Sequence, residues 1–184
     1  MANSKKIKLF IIDVDGVMAN GKFYNINHNV VLKKFQDRDF TAIKRFKSSN
    51  VKIVILSGDN WNKKMALKRN LNFYLSRTSK TLEKFDFLKI FKKKYNISPN
   101  NMAFVGDDYF DIKISKGVRY SFCVSDAPID LKKVCYKILK TRGGEGVLSE
   151  IYDFCVKKKL INSSSYEKVK KIDSLEITSK QMSK

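Results

Sequence analysis

The sequence contains one histidine and three cysteines in 184 residues, and these shortages exclude several chemistries. A single histidine, His28, cannot build a multi-histidine metal site, and no serine or cysteine stands in an elbow motif for it to serve as a base. In its polar setting it reads as a solvated loop residue. Cys123, Cys135 and Cys155 are odd in number and lack a C-x-x-C spacing, so neither a disulfide framework nor a zinc site is expected; they read as reduced, packed residues. No apolar run is long enough to cross a bilayer, and a charged, strand-like stretch begins within about eight residues of the start, which leaves no room for a secretory leader. A cytoplasmic protein with no membrane partner is the expectation. Acidic residues are also scarce, 18 Asp+Glu against 38 Lys+Arg, for a formal net charge of +20. That field favours anionic ligands. The lysines fall in short runs, such as 92–94 and 157–159, without the interleaved aromatics of a base-stacking surface. A solvated lysine-rich exterior is therefore favoured over a nucleic-acid partner.

The length and the 43% hydrophobic fraction suit one domain with a real core. Residues 8–13 form a short apolar run ending in acids, the pattern of a buried parallel strand opening onto a site. Val51 to Leu56 ends likewise in Ser57-Gly58-Asp59, and Met102 to Val105 in Gly106-Asp107-Asp108. Helical periodicity is found near Asp39 to Ser48, Asn60 to Asn70 and Leu82 to Tyr95. A further strand is expected around Ser121 to Val124, a helix after Pro128, and a closing helix over Val147 to Lys159. Alternating strands and helices predict a Rossmann-like, three-layer α/β/α fold with a mainly parallel sheet. Residues 22–35 read as a β-hairpin inserted after the first strand. Residues 1–160 make the domain, and 161–184, rich in Ser and Lys with weak periodicity, read as a polar tail.

In a parallel sheet, ligands bind outside the carboxyl ends of the strands, where all three polar clusters fall. Asp13 and Asp15, spaced i and i+2 at a buried strand end, need a cation or hydrogen-bonding partners. Mg²⁺ prefers such oxygen ligands and keeps positions for phosphate oxygens. Asp13 then suits a nucleophile toward phosphorus, and Asp15 an acid/base for the leaving oxygen and the hydrolytic water. Ser57-Gly58 offers a hydroxyl and an N–H for a phosphate oxygen. A lysine is required to offset charge; Lys84 and Lys80 both stand in range. Asp107, Asp108 and Asp111 supply further carboxylates. Two other functions fit these residues: a phosphatase acting on nucleic-acid ends, and a non-catalytic binding protein on the same fold.

Asp13-Val14-Asp15-Gly16-Val17, Ser57-Gly58, a downstream lysine and Gly106-Asp107-Asp108-Tyr109-Phe110-Asp111 together resemble the four motifs of the haloacid dehalogenase superfamily. Within it, the stretches 15–24, 35–39 and 142–147 are similar to the small capless phosphatases of octulosonate 8-phosphate and nonulosonate 9-phosphates. The resemblance covers about residues 6–160. It implies Asp13 as nucleophile, Asp15 as acid/base with its carbonyl on Mg²⁺, Ser57, Gly58 and Lys84 at the phosphoryl group, and Asp107 as third metal ligand. Spacing to Gly106 favours Lys84 over Lys80, with Asp108 and Asp111 in support. It also implies a homotetramer, in which hairpin 22–35 packs against a neighbour, and a substrate carboxylate met by Arg38 and Arg142. Two departures stand out: Phe40 where glycine is common after Arg-Asp, and Glu145 where arginine is common in the Gly-Gly-x-Gly turn.

Overall fold

The apolar run at the start of the chain forms β1, Leu9–Ile12, with all four residues buried. Its alternation divides the core. Phe10 and Ile12 face one hydrophobic cluster and Leu9 and Ile11 the other, as a strand covered on both faces requires. The computed structural model describes residues 6–21, 23–25, 30–78 and 83–182; His28, Lys22 and the rival cation Lys80 lie outside them.

After β1 come the hairpin strands β2, Phe23–Asn25, and β3, Val30–Leu32, paired antiparallel in a sheet of their own. The chain continues through α1 (Asp37–Ser48), β4 (Lys52–Ser57), α2 (Asn62–Lys68), β5 (Asn72–Leu75), α3 (Phe87–Tyr95) and β6 (Met102–Gly106). It ends through α4 (Ile112–Gly117), β7 (Tyr120–Cys123), α5 (Ile129–Lys132), β8 (Lys137–Ile138), α6 (Val147–Lys157) and α7 (Tyr166–Met182). The main sheet has six strands in the order β5-β4-β1-β6-β7-β8, and every pairing in it is parallel. The predicted Rossmann-like α/β fold is the one observed.

β1 is central, with β4 on one side and β6 on the other. The chain leaves β1 toward β4 and β5, then crosses back to β6, so the direction of winding reverses beside β1. The crevice at such a reversal is the usual ligand site of a doubly wound sheet. Aromatic side chains fill the layers: Phe10 packs edge-on to Phe46 at 5.0 Å between centroids, and Phe46 on Tyr152 at 5.1 Å. On the other face Tyr74 meets Phe91 at 4.8 Å. Such contacts stabilise beyond the area they bury, each by roughly 0.5–1.5 kcal/mol.

Residues 166–182, read from sequence as part of a tail, form a helix instead. α7 has little amphipathic character of its own, and charge holds it to the domain. Lys44 of α1 pairs with Asp173 and lies 3.5 Å from Glu176; Arg69, at the end of α2, also reaches Glu176, at 3.2 Å. Asp173 and Glu176 are three residues apart and so share a helix face. In a chain so rich in cations, these two acids select where the helix lies.

Candidate active site

Asp13 is the first residue beyond β1, and its side chain is 8% exposed. Oδ1 accepts the Val14 N–H at 2.8 Å and Oδ2 accepts Lys84 Nζ at 2.6 Å. Lys84 opens a short 3₁₀ turn before α3, fixed by a reciprocal cap between Glu83 and Asp86. Its ammonium also donates to Asp111 Oδ1 at 2.6 Å. The loop after β6 curls around Asp111, whose Oδ2 accepts the N–H groups of Asp107 and Asp108 at 2.9 and 3.2 Å. A Cβ on Gly106 would lie 2.2 Å from that oxygen, which explains the glycine before the acidic pair.

Carboxylate oxygens of Asp13, Asp107 and Asp111 lie within 4.8 Å of one another. Burial and mutual repulsion govern their chemistry. Desolvation pushes the Asp13 carboxyl up to about 6 against the pull of Lys84, with Asp111 adding to the rise. Desolvation, then the charges of Asp13 and Asp111, push Asp107 up to about 8. Lys84 is held above its ordinary value: its burial works the other way, but Asp13 and Asp111 outweigh it. A set of oxygen donors under this much repulsion fits a hard divalent cation, which would relieve it. Both oxygens of Asp13 and both of Asp111 already accept hydrogen bonds, which leaves Asp107 the freest donor of the three among the described residues.

Gly16 sets the approach of Asp107. With φ +76°, its absent Cβ would fall 1.8 Å from Asp107 Oδ2, so both backbone conformation and space require glycine here. Ser57, last residue of β4, is buried. Its Oγ accepts the Asp59 N–H at 3.1 Å and Asn62 Nδ2 at 2.9 Å, which leaves the hydroxyl hydrogen to donate into the cleft.

These residues line one cleft of about 1400 Å³, with Asp13, Asp15, Ser57, Gly58, Lys84, Asp107 and Asp108 on its walls. Arg38 and Arg142 do not line it. The Arg38 side chain lies over Gly146, where a Cβ would come within 2.2 Å of its Nε, and Arg142 is exposed, 3.5 Å from Asp126. Asp39, next to Arg38, is buried and accepts the Leu148 N–H at 2.9 Å, tying α1 to the start of α6. Phe40 is buried beneath the Arg69 guanidinium, which is 4.1 Å from its ring centroid; that contact accounts for an aromatic where glycine is common.

Three further side chains at the site were not selected by sequence reasoning. Arg77 lines the cleft, packs against Gly58 and sits 5.9 Å from the Phe110 ring. Lys33 reaches Asp15 and Asp59, each at 2.7 Å, and Asn62 Nδ2 reaches Asp15 at 2.9 Å. Nothing in their local sequence marks them; only a polar residue in the first turn after Ser57-Gly58 hinted at Asn62.

Comparison with known proteins identifies the family. The model of haloacid dehalogenase-like hydrolases matches residues 58–151. The chain is 30% identical to 3-deoxy-D-manno-octulosonate 8-phosphate phosphatase of Haemophilus influenzae, over 81% of this chain and 82% of that one. It is 31% identical to the Escherichia coli enzyme of the same name, over 83% and 81%. Among solved structures, the cobalt-bound H. influenzae phosphatase superposes with TM-score 0.74 at 29% identity, covering 83% of this chain and 89% of its own. The Moraxella catarrhalis phosphatase, solved with magnesium, phosphate and 3-deoxy-D-manno-octulosonate (KDO), gives 0.75 at 25% identity, covering 84% and 88%. The acids of β1 and β6, the serine of β4 and the lysine before α3 thus stand on a shared scaffold, and the chain belongs to the haloacid dehalogenase-like hydrolases, as a phosphoric monoester hydrolase.

Proposed function

We propose that this chain hydrolyses the phosphomonoester of a sugar acid, of the octulosonate 8-phosphate or nonulosonate 9-phosphate type, with Mg²⁺ and through an aspartyl-phosphate on Asp13. The observation that carries the reading is the junction at Lys84, one ammonium 2.6 Å from both Asp13 and Asp111 with Asp107 in the same cluster. It holds a carboxylate charged and aimed into the cleft, where it would otherwise take up a proton. Asp13 and Asp107 would hold Mg²⁺ together with the Asp15 carbonyl. Bound there, the ion offsets negative charge on nucleophile and phosphoryl group.

Asp13 attacks phosphorus; Lys84, the Ser57 hydroxyl and the Gly58 N–H bind the phosphoryl oxygens as their charge grows. Asp15 gives a proton to the departing sugar oxygen and then takes one from the water that opens the acyl phosphate. The Arg77 guanidinium on the cleft wall suits the substrate carboxylate better than Arg38 or Arg142, which lie outside the cleft. The similarity to the two curated phosphatases, and to the structure with KDO, supports the sugar-acid class.

Residues 1–160 constitute the phosphatase domain, with 161–184 appended. The wide cleft has no cap domain over it in the described residues. A homotetramer in the cytoplasm, with hairpin 22–35 of one copy against the next, would exclude water from it. Leu32, exposed on that hairpin, agrees with such a contact.

Phosphate release from a panel of phosphosugars, with and without Mg²⁺, tests the reading. Turnover of one sugar-acid phosphate that requires the ion and vanishes in Asp13→Asn is the expected result. Inactivity on every phosphosugar, with activity on oligonucleotide 5′- or 3′-phosphates, would replace the substrate class; inactivity on both would leave a binding protein.

A further inference from the structure

One buried cation at the site takes no part in the chemistry above. The Lys33 side chain is 7% exposed, and its Nζ lies 2.7 Å from Asp15 Oδ1, 2.7 Å from Asp59 Oδ2 and 2.7 Å from Asn62 Oδ1. An ammonium has three N–H donors, and here each has its own oxygen acceptor. Asn62 closes the ring: its Nδ2 donates at 2.9 Å both to Asp15 Oδ2 and to Ser57 Oγ. Both oxygens of Asp15 are therefore held, one by a residue just after the hairpin and one by the first residue of α2.

We propose that Lys33 and Asn62 are positioning residues that fix the Asp15 carboxylate for proton transfer, and that Lys33 makes this alignment depend on the β2–β3 hairpin being seated. The inference rests on Asp15 as the acid/base. Asp15 lines the cleft with its side chain 32% exposed, so its hydrogen-bond partners do much to set its orientation. A misplacement of about 1 Å is enough to cost on the order of 10²-fold in rate. An exposed ion pair would be too weak to impose that order. Here the lysine end is buried, at 7% exposed, and a desolvated ammonium that loses an acceptor is costly, so the three contacts support one another. The same Asn62 amide orients Ser57, which links the acid/base to the phosphate-binding hydroxyl through one side chain.

A plain structural pin for the hairpin would show the same contacts, and kinetics separates the two. Lys33→Ala, Lys33→Met and Asn62→Ala are made in the full chain and assayed on the phosphosugar that wild type hydrolyses. Crystal structures of the lysine variants with Mg²⁺ accompany the kinetics. Positioning predicts that kcat falls about 30- to 100-fold while KM stays within about threefold. Propylammonium, which replaces the atoms lost in Lys33→Ala, restores part of kcat in that variant and does nothing for Lys33→Met. In both lysine variants the Asp15 carboxylate turns away from Asn62. A kcat within about twofold of wild type, or a loss with no amine rescue and Asp15 still in place, overturns the proposal. Should wild type hydrolyse no phosphosugar, the substrate reading fails separately. The Asp15 orientation in Lys33→Met then decides this inference alone: turned away supports it, unchanged refutes it.

Discussion

Replacing Lys84 by methionine removes an ammonium that stands 2.6 Å from two buried carboxylates while keeping most of the packing volume. Removing one partner of a buried ion pair typically costs about 3–5 kcal/mol, because the other charge is left stranded. Here the acids have an escape, since a proton can replace the ammonium. Asp13 already sits at about 6, raised by burial and only partly restrained by Lys84; without that restraint it rises further. A carboxyl whose folded pKa exceeds its unfolded value of 3.8 contributes stability that is complete below the unfolded value and is lost as pH climbs through the folded one. Wild type and variant therefore lose stability in parallel up to about pH 6. Above it, wild type levels off for this group and the variant continues to fall, at about 1.4 kcal/mol per pH unit. In chelator-treated protein the deficit of Lys84→Met is thus expected to be about 1 kcal/mol or less at pH 6 and to reach about 4 kcal/mol near pH 9. Urea unfolding at pH 6, 7.5 and 9 measures it. A deficit independent of pH, or largest at pH 6, would refute the coupling between the lysine and its carboxylates.

The same electrostatics governs metal binding. Asp107, pushed up to about 8 by burial and by its acidic neighbours, must release a proton to ligate, so calorimetric Mg²⁺ affinity should rise about tenfold per pH unit up to about 8 and then flatten; an affinity flat from pH 6 to 8 counts against Asp107 as a ligand. Gly16→Ala places a methyl 1.8 Å from Asp107 Oδ2 at a φ of +76°; it should cost about 1–3 kcal/mol of stability and most of the activity, and near-normal turnover would show that Asp107 can stand elsewhere. Glu176→Gln breaks the contacts with Lys44 and Arg69 that dock α7. The expected loss is about 1 kcal/mol at low salt, shrinking in 1 M salt, and an equal loss at both would point to packing instead of charge.

Local pattern was most informative where the chain is apolar and regular. The alternation of Leu9, Phe10, Ile11 and Ile12 between two faces is a consequence of strand geometry, and the acids that end β1 and β6 had to meet because parallel strands share one carboxyl edge. β5 and β8 were not legible: one is an edge strand with a half-buried pattern and the other is two residues long, too short for periodicity to register. The helix of α7 leaves little trace in the sequence because its order comes from ion pairs with α1 and the end of α2, not from an apolar stripe.

By itself, then, the sequence determined the layered fold and the family, because strand and helix patterns and short motifs are read from neighbours close along the chain. Only the tertiary structure decided which of many cations stand near the carboxyl ends of the strands. Among 38 lysines and arginines, Lys33 and Arg77 reach the site and Arg38 and Arg142 lie off the cleft. A long, flexible cationic side chain carries no local signature of its partner, and the distance that gives it a role is set by elements far apart in the chain.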